Sequence, residues 1–169
     1  MKTFVTDGPP RVRRRHTDMS IENIVPIEKI LAEQGIYMGQ FKGVSMRPLL
    51  QQGRDTVVIE PLSAASPVQE GDIVLYKSDA GRYVLHRVIR HTPGKSPEYT
   101  FLGDNCVTLE PVRADQLLGR LTAFYRDGRK YTGDELRFRF YELLWCRPWQ
   151  ARVMALKVRN RIRKVLRHG

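Results

Sequence analysis

Cysteine is nearly missing from this chain, which has two in 169 residues. Cys106 and Cys146 stand far apart and in no ligand spacing, so neither a disulfide framework nor a zinc site is indicated, and no metal or other cofactor is expected. Reduced thiols suit a cytoplasmic setting. Long apolar runs are missing too. No stretch approaches the ~20 apolar residues a bilayer span requires, and residues 1–15 hold no apolar segment of the kind a secretory signal needs. Net positive charge is absent from the middle of the chain although the total is +11: residues 1–19 carry +3, residues 20–127 carry −1 and residues 128–169 carry +9. A nearly neutral core between basic tails argues against nucleic-acid recognition by the core. There is no internal repeat, and no low-complexity tract beyond the basic ends.

What remains is one ordinary domain's worth of chain, with 41% apolar residues to fill a core. Residues 1–22 are Pro-, Arg- and polar-rich without periodicity and are expected to be disordered. A short helix follows, with Pro26 at its first position, Ile27, Ile30 and Leu31 on one face and Gly35 where it stops. The sequence then turns extended. Thr56–Glu60, Ile73–Lys77, Arg82–Arg90 and Tyr99–Leu102 read as strands separated by turn-rich segments, and 117–131 reads as a hairpin turning at Asp127-Gly128.

Chemistry concentrates around Gly43-Val44-Ser45-Met46-Arg47-Pro48, a serine set between a glycine turn and a proline. A serine hydroxyl must lose its proton as it attacks, so a base has to lie within reach. His86 is the good candidate, since its alternating strand puts it on a rigid element with Val84 and Val88 on its face. His16, His91 and His168 fall in a basic tail, at a strand end and at the C-terminus. Beyond the next strand lie Asp104 and Glu110, either of which is suited to orient an imidazole.

Four boxes in order, Ser45-Met46-Arg47-Pro48, Gly71-Asp72-Ile73-Val74, His86-Arg87-Val88 and Gly103-Asp104-Asn105, resemble the serine peptidase superfamily of type I signal peptidases and SOS-type repressors. The resemblance runs from about Phe41 to Tyr125, roughly half the chain. Bacterial signal peptidases and the repressors use a lysine base, whereas the His-Arg-Val box is similar to the endoplasmic-reticulum and archaeal branch, whose base is histidine. In that branch the third member closes a Gly-Asp-Asn-Asn-x-x-Asp-Asp box, which here runs from Gly103 to Glu110. The resemblance therefore implies Glu110 as the orienting acid, with a glutamate where an aspartate is usual, and Asp104 stays in competition. Signal peptidases usually carry Ser-Gly-Ser around the nucleophile. Gly43 stands in place of the first serine, a Gly-x-Ser-Met arrangement closer to the repressors, so the oxyanion would rely on backbone N–H groups such as that of Ser45.

The strand pattern and the resemblance together imply a mainly β fold of coiled antiparallel sheets of signal-peptidase-like type, and the residue patterns at the ends add a short N-terminal helix and a basic amphipathic C-terminal helix. The chain is expected to divide into a disordered basic N-terminus (1–22), a serine peptidase domain (23–131) and a basic extension (132–169). The resemblance also implies an endopeptidase that takes an extended precursor, leader or signal-like peptide with small side chains before the cut. Without a transmembrane anchor, the enzyme is expected on the cytoplasmic side, either soluble or peripheral on the cytoplasmic membrane. A self-cleaving regulator of SOS-repressor type is the second reading, although it needs a helix-turn-helix and residues 1–40 hold one convincing helix. A non-catalytic peptide-binding module on the same fold is the third. On a helix after Pro148, Met154, Ala155, Val158, Ile162, Val165 and Leu166 share one face, and Arg152, Lys157, Arg159, Arg163, Lys164 and Arg167 take the other. That is the pattern of a helix on an anionic membrane surface, with packing on the core, or contact with nucleic acid or an acidic peptide, as alternatives.

Overall fold

Strand patterns of period two need partners, and in the computed structural model they find them in one antiparallel sheet. The structure describes residues 25–168 apart from 93, 95–97 and 134, so the segment expected to be disordered, 1–22, lies outside the described residues. Helix α1, Ile27–Gln34, begins directly after Pro26 and ends at Gly35, whose left-handed φ of 68° lets its N–H reach Leu31 O at 3.0 Å. Eight strands follow: β1 (Tyr37–Gln40), β2 (Asp55–Pro61), β3 (Ile73–Lys77), β4 (Tyr83–Thr92), β5 (Glu98–Leu102), β6 (Glu110–Arg113), β7 (Leu117–Arg126) and β8 (Arg129–Thr132). Their order is β1-β2-β7-β3-β4-β5-β6, with β8 paired to β7, and every pairing is antiparallel. Over the described residues the fold is thus mainly β, with three α-helices, and the sheet does not close into a barrel.

The central strands bury both faces. Ile73, Leu75 and Leu85 enter one core with Leu31, Met46, Leu50, Val57, Ile59 and Phe124. Val74, Tyr76 and Val88 enter a second with Val68, Tyr99, Phe101 and Val112. This explains the continuous apolar run of β3, since a strand covered on both sides has no polar face to show. Register shifts at Val58/Ile59, Leu75/Tyr76 and Val88/Arg90 mark bulges, which bend strands and increase their twist.

The four isolated strands occur where expected, within two residues at each end. The hairpin turns at Asp127 and Gly128, whose φ values of 51° and 79° are both positive, as a two-residue turn of this kind demands. Two strands were not anticipated. β1 is four residues long with a glycine inside it, and β6 contains Pro111, which an edge strand tolerates because no ladder bond is needed on its outer side.

After β8 the chain forms α2 (Leu136–Tyr141), a π-helical turn (Glu142–Cys146) and α3 (Trp149–His168). Phe138 of α2 packs edge-on against Phe124 and Tyr131, at ring-centroid distances of 5.6 and 6.1 Å. α3 begins directly after Pro148, as its sequence suggests. No helix among the described residues is long and apolar enough to cross a membrane.

Candidate active site

Ser45 lies in the loop between β1 and β2, and that loop is held at both ends by apolar anchors. Met46 and Leu50 are buried in the first core, while Gly43 adopts φ 110° and donates its N–H to Gln52 Oε1 at 2.7 Å. A second loop, after β5, is bonded to the first. Asn105 donates its backbone N–H to Ser45 O at 2.7 Å and its side-chain Nδ2 to Val44 O at 3.1 Å. Ser45 is therefore fixed from the backbone, with its side chain half-buried at the rim of a cleft.

His86 reaches the same place from β4, where it pairs with Val74 of β3. The ring is 5% exposed, and its two nitrogens face different partners. Nδ1 lies 3.1 Å from Glu110 Oε2, and Tyr76 donates its hydroxyl to the same carboxylate oxygen. A carboxylate can only accept, so Nδ1 carries the proton and Nε2 is left with a lone pair. Nε2 points at Gly103. A Cβ built on that glycine would lie 2.9 Å from His86 Nε2, 2.9 Å from Ser45 O and 2.8 Å from Cys106 Sγ, so the missing side chain is what lets imidazole and serine loop approach each other. Ser45 Oγ makes no hydrogen bond to His86 among the described residues. Such bonds are often long before substrate binds.

Burial lowers the His86 pKa below its ordinary value, and the Glu110 carboxylate offsets this only partly. The ring is thereby kept neutral at physiological pH, the form that can accept a proton. Burial likewise raises the Cys106 thiol, with Glu110 adding to the effect, so Cys106 is not poised as a thiolate.

The two acids left open by the sequence have different surroundings. Glu110, at the start of β6, touches His86. Asp104 makes no hydrogen bond to His86; it is fully buried and accepts from Arg87 Nε and Nη2 at 3.0 and 2.9 Å, from Arg152 Nη1 at 3.0 Å and from Tyr141 Oη at 3.0 Å. Burial alone would raise its carboxyl pKa, but Arg87 and then Arg152, with the hydrogen bonds from Arg87 and Tyr141, outweigh burial and hold it below the usual range. Asp104 thus ties β4, α2 and α3 to the loop that carries Asn105. Arg159 of α3 adds a contact of 2.9 Å from Nη2 to Asn105 Oδ1.

Sequence reasoning missed Tyr76, Asn105 and the two arginines that face inward from α3. It set Arg152 and Arg159 on a polar face, yet Arg152 is buried against Asp104 and Leu156 is 2% exposed beside it. Their spacing of four and then three residues marks a narrow third face of the helix, a signal hidden because two of its three members are charged.

The cleft has a volume of about 690 Å³. Ser45, His86 and Glu110 line it together with Gln40, Lys42, Arg82 and Tyr83, and the apolar residues Ile27, Tyr37, Phe41, Met46, Val57, Ile59, Leu75, Val84 and Leu85 make up the remainder of the lining. Two strand edges unpaired among the described residues belong to its surroundings. β1 ends the sheet, and residues 83–86 of β4 pair with β3 on one side while β5 pairs only from Arg87 onward.

No family model matches the chain, and no curated protein is similar to it.

Proposed function

We propose that this protein is a serine endopeptidase of signal-peptidase-like type that processes an extended precursor or leader peptide. The observation that carries the reading is His86, clamped by Glu110 at Nδ1 and aimed by Nε2 at the Ser45 loop, in the wall of a largely apolar cleft. Ser45 Oγ attacks the scissile carbonyl while its proton passes to His86 Nε2. Glu110 accepts from Nδ1–H, fixes the tautomer and stabilises the imidazolium that forms. Collapse of the tetrahedral intermediate returns that proton to the leaving amine and leaves Ser45 acylated; water then repeats the sequence with His86 as base. The Ser45 backbone N–H is the candidate oxyanion donor, because Gly43 offers no hydroxyl.

Substrate binding follows from the cleft. An extended peptide can add its backbone to an open strand edge and drop alternate side chains into apolar pockets, and both β1 and the 83–86 segment offer such edges. The coiled signal-peptidase-like form of the sheet, with both faces covered, belongs to the same proposal. So does a position on the cytoplasmic side of a membrane, where the free thiols of Cys106 and Cys146 stay reduced.

The decisive experiment combines a serine-reactive phosphonate with comparative mass spectrometry of peptides from cells carrying wild-type or Ser45→Ala protein. We expect labelling of Ser45, one cut lost in the variant, and a rate loss on the order of 10⁶-fold with no fall in melting temperature. Turnover by the variant comparable to wild type refutes the reading. The missing bond between Ser45 Oγ and His86 favours a second reading, a peptide-binding module without catalysis. Peptide binding without phosphonate labelling would select it.

A further inference from the structure

The outer apolar side of α3 has no packing partner among the described residues. The helix is held to the body by Arg152, Leu156 and Arg159, which contact Asp104, the core and Asn105. At 100° per residue those three lie together. Met154, Val158, Ile162 and Val165 form a stripe roughly 120° away around the axis, and they are 64, 52, 53 and 66% exposed. Beyond Arg159 every described residue from Asn160 to Leu166 is exposed, about 10 Å of helix length. The alternative use of an apolar stripe, packing on the core, is thus already taken by a different face.

Charge decides the occupant. α3 holds seven lysines and arginines and no carboxylate. Lys157 and Arg161 flank the stripe on one side, and the exposed Arg163 lies beyond its other border. Just before it, the exposed Leu136, Phe140, Leu143 and Leu144 extend the apolar surface, with Arg139 among them, while Arg137 and Arg147 pair with Glu135 and Glu142. A second copy would oppose like charge to like charge across the stripe, and a nucleic acid would leave the apolar residues in water. An anionic bilayer surface satisfies both, taking the stripe into the acyl boundary and the bases at the phosphates.

We propose that the outward face of α3 docks this protein on an anionic lipid surface, with the helix lying in the plane of the interface. The proposal does not depend on Ser45 reacting.

The test is sedimentation of the full chain with phosphatidylglycerol–phosphatidylcholine vesicles and with phosphatidylcholine alone, at low and high salt, beside thermal unfolding of Val158→Asp/Ile162→Asp. Wild-type protein should bind the anionic vesicles at least tenfold more strongly than the neutral ones, and salt should weaken binding. The double variant should lose that binding at an unchanged melting temperature. Binding by the variant equal to wild type, equal binding to both vesicle types, or absence of vesicle binding alongside tight binding to a DNA duplex each overturns the proposal. Ser45→Ala should sediment as wild type does, which separates failure of this inference from failure of the peptidase reading.

Discussion

Replacing Asp104 by asparagine keeps the shape of the side chain and removes the one negative charge between two guanidiniums. The side chains of Arg87 and Arg152 are 7% and 0% exposed, and Arg152 Nε and Nη2 have no hydrogen-bond partner among the described residues, so Arg152 relies on Asp104 for its compensation. Removing one partner of a buried ion pair typically costs about 3–5 kcal/mol, because the remaining charge is stranded. Two stranded cations and a new amide N–H₂ facing them put Asp104→Asn at the upper end, about 5 kcal/mol, out of a total stability on the order of 5–15 kcal/mol. At ~2–4 °C per kcal/mol for a chain of this size, the melting temperature falls by about 10–20 °C. Differential scanning calorimetry and urea unfolding measure this directly. Adding Arg152→Met to the Asp104→Asn variant should recover stability, because it removes one stranded charge, whereas Arg152→Met alone should lose it. A loss below ~1 kcal/mol for Asp104→Asn, or strict additivity in the cycle, would refute the reasoning. The pH dependence carries a sign as well. The folded Asp104 pKa is depressed by Arg87 and Arg152 against the opposing effect of burial, so its contribution is present above the unfolded value near ~3.9 and is lost as pH falls through the folded value. The gap between wild type and Asp104→Asn should therefore narrow below about pH 4.

Three further outcomes concern the site itself. Because burial lowers the His86 pKa, kcat/KM should rise with pH through a value below ~6.5 and stay level above it; the same shift means that stability is full above ~6.5 and declines as pH falls toward the folded value, which NMR titration of the ring and unfolding at each pH will follow. Glu110→Gln should lower kcat by up to about 10⁴-fold through loss of tautomer control and leave the melting temperature nearly unchanged, the opposite of Asp104→Asn, so measuring both quantities on both variants separates the orienting acid from the structural one. Gly103→Ala inserts a methyl within 3 Å of His86 Nε2, Ser45 O and Cys106 Sγ; overpacking of this kind costs about 1–3 kcal/mol, and activity assays should show a far larger loss than calorimetry does.

Much of the scaffold was legible because its signals are local. The strand around Ile73–Lys77 is a β-rich run bounded by turns, Asp127-Gly128 tolerates the positive φ a tight turn needs, and Gly35 stops a helix wherever it meets an apolar pattern. Ser45 and His86 stood out by residue type and setting, and the structure brings both to one cleft. The strands β1 and β6 escaped notice because four-residue edges carry too little pattern to rise above a loop. The choice between Asp104 and Glu110 depends on where side chains go after a turn, and spacing alone does not encode that.

The sequence by itself determined a mainly β chain with a helix at each end, a serine on a glycine turn, a histidine on a rigid strand and a net positive charge confined to the tails, because propensity, period and charge are properties of neighbours along the chain. Only the tertiary structure decided that β7 lies between β2 and β3, that Glu110 meets His86 while Asp104 meets Arg87 and Arg152, and that α3 turns its charged narrow face inward and its apolar stripe out. These outcomes join groups tens of residues apart. A buried carboxylate requires its guanidiniums wherever the chain can supply them, and the helix that supplies Arg152 must then present its remaining faces to the outside.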